Sequence, residues 1–151
     1  MKKIMGYIKE FIINSKEDTK TLAEKIAPFL QKGDVIALYG ELGTGKTFFT
    51  QKLCEYLGVS ENVNSPSYVL MNEYNGKYSI SHLDLYRIDS EEEVLELGLH
   101  EIFENRITII EWAEKAEGLL PQNTIHIWFE FDNSHRKACI QSYRDISYLI
   151  S

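Results

Sequence analysis

The sequence predicts an α/β protein with three layers, in which helices cover both faces of a mixed, mainly parallel central sheet. Two observations support this fold class. Short apolar runs, typical of buried parallel strands, alternate along the chain with amphipathic stretches that have the period of a helix. The pair Asn75-Gly76 separates two stretches rich in aromatic and β-branched residues, and it therefore predicts a tight hairpin and an antiparallel pair.

The N-terminal part is predicted to contain two strands and two helices. A strand over residues 7–13 precedes a helix that starts at the capping-box pattern of residues 15–18. Pro28 is expected to bend or shorten this first helix. A second strand, over residues 35–39, leads through a glycine-rich loop into a second helix over residues 47–57.

The C-terminal part is predicted to be rich in strands. The expected strands cover residues 68–74, 78–88, 107–110, 124–131 and 136–143. The expected helical segments cover residues 91–97 and 99–104, with a break at residues 119–121 and a helical turn within residues 145–151. The chain shows no repeat and no interdomain linker, so residues 1–151 are expected to form one domain.

Residues 40–47, Gly-Glu-Leu-Gly-Thr-Gly-Lys-Thr, match the P-loop pattern G-x-x-x-x-G-K-S/T. The glycines allow a tight turn, so that backbone N–H groups converge on the phosphates of a nucleotide. Lys46 is expected to neutralise phosphate charge, and the Thr47 hydroxyl is placed to bind Mg²⁺. A strand, this loop and a helix together predict a P-loop NTPase fold. The other residues expected to contact nucleotide are Glu41, Leu42, Gly43, Thr44, Gly45 and Phe48.

Two acidic residues are predicted to lie at strand ends, where open α/β sheets bind ligands. Glu111 follows the apolar run of residues 107–110, an arrangement that resembles the Walker B motif. Its carboxylate is therefore predicted to bind Mg²⁺, directly or through water, or to orient the attacking water. Asp84 lies between two leucines late in a strand, where burial requires a partner. It is predicted to serve the metal or the attacking water. For Asp84 the alternatives are an ion pair with Arg87 or a helix cap, and for Glu111 the alternative is a solvated or ion-paired residue at the strand end.

Four further residues have more than one interpretation. His82 could be a base, but it is expected to be either a hydrogen-bonded structural residue of its strand or a side chain that supports a site residue. Trp112 either belongs to the core or forms a platform for nucleotide or a partner. Ser65 and Ser67, on either side of Pro66, lie where switch loops of P-loop proteins sense the γ-phosphate, and Ser67 is predicted to do so. The alternative is a polar loop without a role at the site.

Composition limits the class of protein. The formal net charge of −7 argues against a chain that holds nucleic acid by itself. No apolar run reaches membrane-spanning length, and the start does not resemble a signal peptide. Cys54 and Cys139 have no metal or redox spacing and are expected to be buried and reduced, as in a cytoplasmic protein. No guanine-reading Asn-Lys-x-Asp motif occurs, which disfavours a GTPase.

The chain resembles the TsaE (YjeE) family of bacterial P-loop ATPases. Besides the P-loop, the resemblance rests on Asn-Ser-Pro-Ser-Tyr at 64–68, His-Leu-Asp-Leu-Tyr-Arg at 82–87, Ile-Glu-Trp-Ala-Glu at 110–114 and Leu-Leu-Pro at 119–121. It covers about residues 15–142. Ser67 stands where the family usually has Thr, Glu41 where Asp is more frequent, and Thr44 where Ala is more frequent.

This resemblance implies a role in forming N6-threonylcarbamoyladenosine at position 37 of tRNA. The family binds ATP and Mg²⁺, docks on the threonylcarbamoyl transferase and its inactive paralogue, and hydrolyses ATP to reset that complex, so contact with tRNA is expected to be indirect. The resemblance assigns phosphate binding to Lys46, metal binding to Thr47 and Glu111, water or metal assistance to Asp84, and a required role to Trp112. Two alternatives stay open. One is a small-molecule kinase, which is disfavoured because such enzymes usually need a lid with arginines over the phosphates, whereas the four arginines of this chain are scattered. The other is a nucleotide-gated binding module with negligible hydrolysis.

Overall fold

A computed structural model of the chain describes residues 6–41, 43–132 and 135–150. Seven strands alternate with four α-helices: β1 (Tyr7–Ile13), α1 (Lys16–Ile26), β2 (Val35–Tyr39), α2 (Lys46–Tyr56), β3 (Met71–Asn75), β4 (Ser79–Asp84), α3 (Glu91–Leu95), α4 (Leu99–Phe103), β5 (Ile107–Glu111), β6 (Ile125–Asp132) and β7 (His135–Ser142). Short 3₁₀ segments cover Ala27–Phe29, Ala113–Leu119 and Ser147–Ile150.

The strands form one seven-stranded sheet in the order β1-β7-β6-β2-β5-β4-β3. Its four central strands, β6, β2, β5 and β4, run parallel to one another, whereas β1, β7 and β3 pair in antiparallel fashion. The predicted mixed sheet is confirmed, with its parallel part at the centre. The predicted hairpin at residues 75–76 is also observed, since β3 and β4 are antiparallel neighbours.

Each face of the sheet carries its own apolar core. On one face, α1 and α2 pack through Leu22, Ile26, Phe49 and Leu53 against Ile36 and Leu38 of β2. On the other face, α3, α4 and the segment Ala113–Leu119 cover Val35, Ala37, Leu83 and Ile110. Because β2 is covered on both faces, all five of its residues are buried, and this explains its continuous apolar sequence.

The predicted capping box at the start of α1 is only partly formed: Ser15 caps the helix, but the Asp18 carboxylate accepts a hydrogen bond from the N–H of the residue before the cap, Asn14. Ser15 Oγ accepts a hydrogen bond from the Asp18 backbone N–H at 3.4 Å, and Asp18 Oδ2 accepts one from the Asn14 backbone N–H at 2.7 Å. The α-helix ends at Ile26, and Pro28 lies in the 3₁₀ segment that follows, so the predicted shortening is also observed.

The strands predicted over residues 68–74 and 78–88 are shorter in the structure. Before β3, the N–H groups of Val69 and Leu70 both donate to the Pro66 carbonyl, at 3.1 and 2.6 Å, so the chain turns instead of extending. After β4, the Tyr86 backbone N–H donates to the Asp84 carboxylate at 2.9 Å, and this turn ends the strand. Side-chain hydrogen bonds of this kind compete with sheet ladders.

Within the described ranges, no helix combines the length and apolar character needed to cross a membrane. Both cysteines are free and buried, as expected from their spacing. Burial raises the pKa of the Cys54 thiol to about 12, so this side chain is neutral and unreactive at neutral pH.

Candidate functional site

A cleft lies at the carboxyl ends of β2, β4 and β5, beside the start of α2. The strand order places β5 between β2 and β4, so the loops that follow these three parallel strands meet at one edge of the sheet. The structure brings nine of the predicted site residues to this cleft: Gly43, Gly45, Lys46, Thr47, Phe48, Ser67, Asp84, Glu111 and Trp112.

The remaining predicted nucleotide contacts lie elsewhere. Glu41 and Thr44 line a neighbouring depression on the outer side of the loop, next to Trp128 and Phe129. Thr44 Oγ1 donates to the Glu41 carbonyl at 2.7 Å, so its hydroxyl stabilises the loop itself. Leu42 lies outside the described residues.

The glycines of the loop have backbone conformations that other residues rarely adopt. Gly45, immediately before α2, has φ of 108°, in the left-handed region. Gly40 has φ of 143°, and a Cβ built there would lie 2.6 Å from the Phe129 carbonyl oxygen. The close contact with β6 and the left-handed turn therefore explain why the sequence has glycine at both positions.

Lys46, the first residue of α2, is buried in the wall of the cleft. Its Nζ donates to the carbonyls of Gly40 and Glu41, the latter at 3.0 Å, and lies 4.3 Å from the centre of the Trp112 ring. Burial lowers the pKa of Lys46, and nearby carboxylates, chiefly that of Glu111, partly oppose this shift. The ammonium group is thus poorly hydrated and surrounded by oxygen acceptors.

Glu111, at the end of β5, is held at both carboxylate oxygens. Thr47 Oγ1 donates to its Oε1 at 2.9 Å, and His82 Nε2 lies 2.6 Å from its Oε2. The parallel register, with Asp84 opposite Glu111, places His82, Asp84 and Glu111 on the sheet face covered by α2. His82 is therefore a hydrogen-bonded strand residue, as expected, and its partner is a predicted site residue.

Asp84, at the end of β4, accepts three hydrogen bonds although it is only 3% exposed. Ser65 Oγ and Ser67 Oγ donate to its Oδ2 at 2.6 and 3.0 Å, and the Tyr86 backbone N–H donates to Oδ1. Among the described residues, these groups rather than Arg87 satisfy the carboxylate. The Arg87 guanidinium lies over the Tyr68 ring, 4.0 Å from its centre.

Trp112 packs against the core, as one interpretation expects, and it also lines the cleft, whereas its role as a platform for nucleotide or a partner stays a prediction. Its backbone is left-handed, with φ of 57°, which is unusual for a bulky residue. The ring packs against Tyr86, with centroids 5.0 Å apart, and against the apolar core under α3 and α4. It also lines the cleft above Lys46. Trp112 therefore connects the core to the site.

Ser65 and Tyr86 line the cleft and His82 contacts Glu111, although none of the three was predicted as a site residue. Ser65 could have been included by the same argument as Ser67, because both hydroxyls flank Pro66. Tyr86 enters the cleft only because β4 ends at Asp84, whereas the pattern of alternating residues predicts a strand to residue 88. The contact of His82 with Glu111 depends on the pairing of β4 with β5, for which the sequence contains no local signal.

Comparison with known proteins identifies relatives along most of the chain. Residues 13–139, which include every candidate site residue, match the family model described as threonylcarbamoyl adenosine biosynthesis protein TsaE. The chain is 37% identical over 130 residues to the tRNA threonylcarbamoyladenosine biosynthesis protein TsaE of Rickettsia bellii, an alignment that covers 85% of this chain and 90% of the relative. It is 42% identical over 113 residues to the protein of that name from Bacillus subtilis, covering 74% of this chain and 70% of the relative.

The fold is also similar to a solved structure. The crystal structure of Bacillus subtilis YdiB superimposes with a TM-score of 0.79 at 30% sequence identity. The match covers 94% of this chain and 90% of that one.

Proposed function

This chain belongs to the TsaE family of tRNA threonylcarbamoyladenosine biosynthesis proteins, and we propose that it is the component of that machinery that binds and hydrolyses ATP. In this proposal, hydrolysis drives turnover of the complex between the threonylcarbamoyl transferase and its inactive paralogue. The tRNA, modified at position 37, is contacted through that complex, because this chain has a formal net charge of −7.

One observation supports the ATP-binding role above all: Lys46, Thr47, Asp84 and Glu111 line a single cleft beside a P-loop. The positive end of α2 and the adjacent loop amides favour phosphate at this position. Lys46 adds a full positive charge, and since the pKa of its amine is lowered by burial, contact with an anion would favour the charged form. These groups are complementary to a polyphosphate.

The oxygen donors of the cleft also suit Mg²⁺. Thr47 Oγ1 and Glu111 Oε1 are 2.9 Å apart, and the Asp84 carboxylate lines the same cleft. Protein sites for Mg²⁺ typically supply only one or two carboxylates, the rest coming from phosphates and water. Accordingly, the described residues contain no group of three or more His, Cys, Asp or Glu that could hold a metal by themselves. When bound, Mg²⁺ supplies charge neutralisation at the phosphate oxygens.

In this proposal, the Asp84 carboxylate orients the attacking water. A carboxylate offers about four acceptor positions, and three are occupied by the two serine hydroxyls and the Tyr86 N–H. The remaining position is on Oδ1, in a side chain that three hydrogen bonds hold in a fixed orientation. Positioning of this kind, together with charge neutralisation, provides most of the catalysis in phosphoryl transfer.

We expect hydrolysis by this chain alone to be slow. Of the residues lining the cleft within the described ranges, none is an arginine, and the guanidinium of Arg87 stacks on Tyr68. An arginine that contacts the transferred phosphate typically accelerates hydrolysis by about 10³- to 10⁵-fold. In the proposed function, docking on the transferase complex provides the stabilisation of the transferred phosphate that such an arginine would otherwise supply.

The test is ATP hydrolysis by the purified protein, measured with and without the purified transferase complex, together with mass spectrometry of the modified tRNA nucleoside. Stimulation by the complex and loss of both activities in Glu111→Gln would support the proposal. Full-rate hydrolysis without partners would contradict the coupling. Phosphate transfer to an acceptor other than water would indicate a kinase, and tRNA modification that survives without hydrolysis would indicate a nucleotide-gated module.

A further inference from the structure

His82 is the only fully buried histidine in the described part of the chain, and it contacts the site through Glu111. It lies on β4, two residues before Asp84, and its Nε2 is 2.6 Å from Glu111 Oε2. The other oxygen of the same carboxylate accepts the Thr47 hydroxyl at 2.9 Å. The orientation of Glu111 is thus fixed from two sides, by α2 and by β4.

The direction of the His82 hydrogen bond follows from its partner. In the proposed function Glu111 binds Mg²⁺ as an ionised carboxylate, which can only accept, so Nε2 would carry the proton and donate it to Oε2. The other ring nitrogen, Nδ1, is buried and has no hydrogen-bond partner within residues 6–41, 43–132 and 135–150. In this part of the structure, the imidazole therefore makes its polar contact with Glu111 alone.

A role in packing alone does not explain a histidine at this position. Its neighbours on the same sheet face, Ile80 on β4 and Ile107 and Ile109 on β5, are fully buried aliphatic residues. A buried ring nitrogen without a partner is unfavourable, and an aliphatic side chain would avoid it. The feature that distinguishes histidine from an aliphatic residue here is the hydrogen bond to Glu111.

We propose that His82 is a positioning residue, which holds the Glu111 carboxylate so that Oε1 faces Thr47 and the cleft. Without this donor, the carboxylate can rotate about its last torsion, and the pair of oxygens at Thr47 and Glu111 loses its fixed spacing. The inference rests on the proposed function, in which those two oxygens bind Mg²⁺, and it adds to that function the residue that orients them. Partners that orient metal ligands in this way commonly affect metal affinity or activity by about 10- to 100-fold.

The test compares two side chains of similar length at position 82. His82→Gln retains an N–H donor within reach of Glu111, whereas His82→Met retains the length but has no donor. Ile80→Val is the control for a general weakening of β4, because Ile80 is fully buried on the same face and belongs to the aliphatic core. Thermal unfolding establishes that each variant is folded at the assay temperature.

The first measurement is calorimetric titration of Mg²⁺ into protein saturated with ADP. His82→Met should weaken Mg²⁺ binding by about 10- to 100-fold and should leave ADP affinity in EDTA unchanged. His82→Gln should restore most of the Mg²⁺ affinity, and Ile80→Val should not alter it. Equal Mg²⁺ affinity in the parent and His82→Met would overturn the inference, as would an equal loss in His82→Met and Ile80→Val.

A double-mutant cycle then tests whether His82 acts through Glu111. In a Glu111→Gln background, His82→Met should have little further effect on Mg²⁺ affinity, whereas a full additional loss would overturn the inference. The proposed function fails in a different way, through absence of ATP hydrolysis in the parent with its partner complex. The double-mutant cycle still tests the role of His82 in that case, because it measures Mg²⁺ affinity and does not depend on turnover.

Discussion

The contact of Ser67 with Asp84 leads to a prediction whose magnitude follows from the structure. Ser67 Oγ donates to Asp84 Oδ2 at 3.0 Å, and Ser65 Oγ donates to the same oxygen at 2.6 Å. The two hydroxyls also lie 3.0 Å from each other. Ser67→Ala removes one donor and loosens the loop that carries the other, so Asp84 should lose part of its fixed orientation.

Hydrogen bonds to a charged group contribute about 1.5–3 kcal/mol. Because Ser67 is half-buried and Ser65 remains, we expect the lower end of this range, about 1.5 kcal/mol, which corresponds to an approximately tenfold decrease in kcat. The loss from Ser65→Ala should be similar. The double variant should lose less than the sum of the two, because the hydroxyls belong to one network.

The assay is steady-state ATP hydrolysis in the presence of the transferase complex, with thermal unfolding measured in parallel. Ser67→Thr keeps the hydroxyl and should retain activity, and Ser60→Ala removes an exposed serine outside this network. The reasoning would be refuted if Ser67→Ala kept the parent kcat while Asp84→Asn abolished it. It would also be refuted if Ser60→Ala caused an equal loss.

Three other predictions concern charge and stability. Lys46→Met should weaken ATP binding by about 100-fold, measured with a fluorescent analogue, because it keeps the length of the side chain but removes its charge. Arg144→Ala should lower the free energy of unfolding by about 2 kcal/mol in urea denaturation, since Arg144 pairs at 2.8 Å with buried Asp34. Burial lowers the pKa of His126 to about 4, so the unfolded state binds more protons, and stability should fall as the pH decreases from about 6.5 to 4. His126→Gln should flatten this part of the urea-midpoint profile against pH.

Much of the central sheet could be predicted because its strands have a local signal. In β2 and β5, every residue is buried on both faces, so apolar character alone identifies the strand. Glu111 then stands out as the first acidic residue after such a run. The glycine loop between β2 and α2 is equally local, because its conformation requires particular residues at particular positions.

The ends of elements were harder to predict, because burial continues where the strand stops. Leu85 and Ile88 are buried, and the alternating pattern therefore predicted β4 to residue 88. The strand ends at Asp84 because its carboxylate accepts the Tyr86 N–H. For the tail after Ser142, the sequence predicted only a helical turn within residues 145–151, and a 3₁₀ segment is observed at Ser147–Ile150. How this tail packs depends on non-local contacts, among them the guanidinium of Arg144 over the ring of Phe29 at 4.0 Å.

The residues that could be named as site residues have a local sequence signal, whereas the contacts that orient them do not. Lys46, Asp84 and Glu111 each have side chains whose chemistry suggests a role at a strand or loop end. Their partners depend on register: Thr47 is 64 positions from Glu111 along the chain, and His82 is 29 positions away. A shift of one residue between β4 and β5 would move His82 to the opposite face of the sheet. The geometry of Glu111 is therefore determined by the pairing of the strands, and a motif that contains the right residues specifies a site only when that pairing is correct.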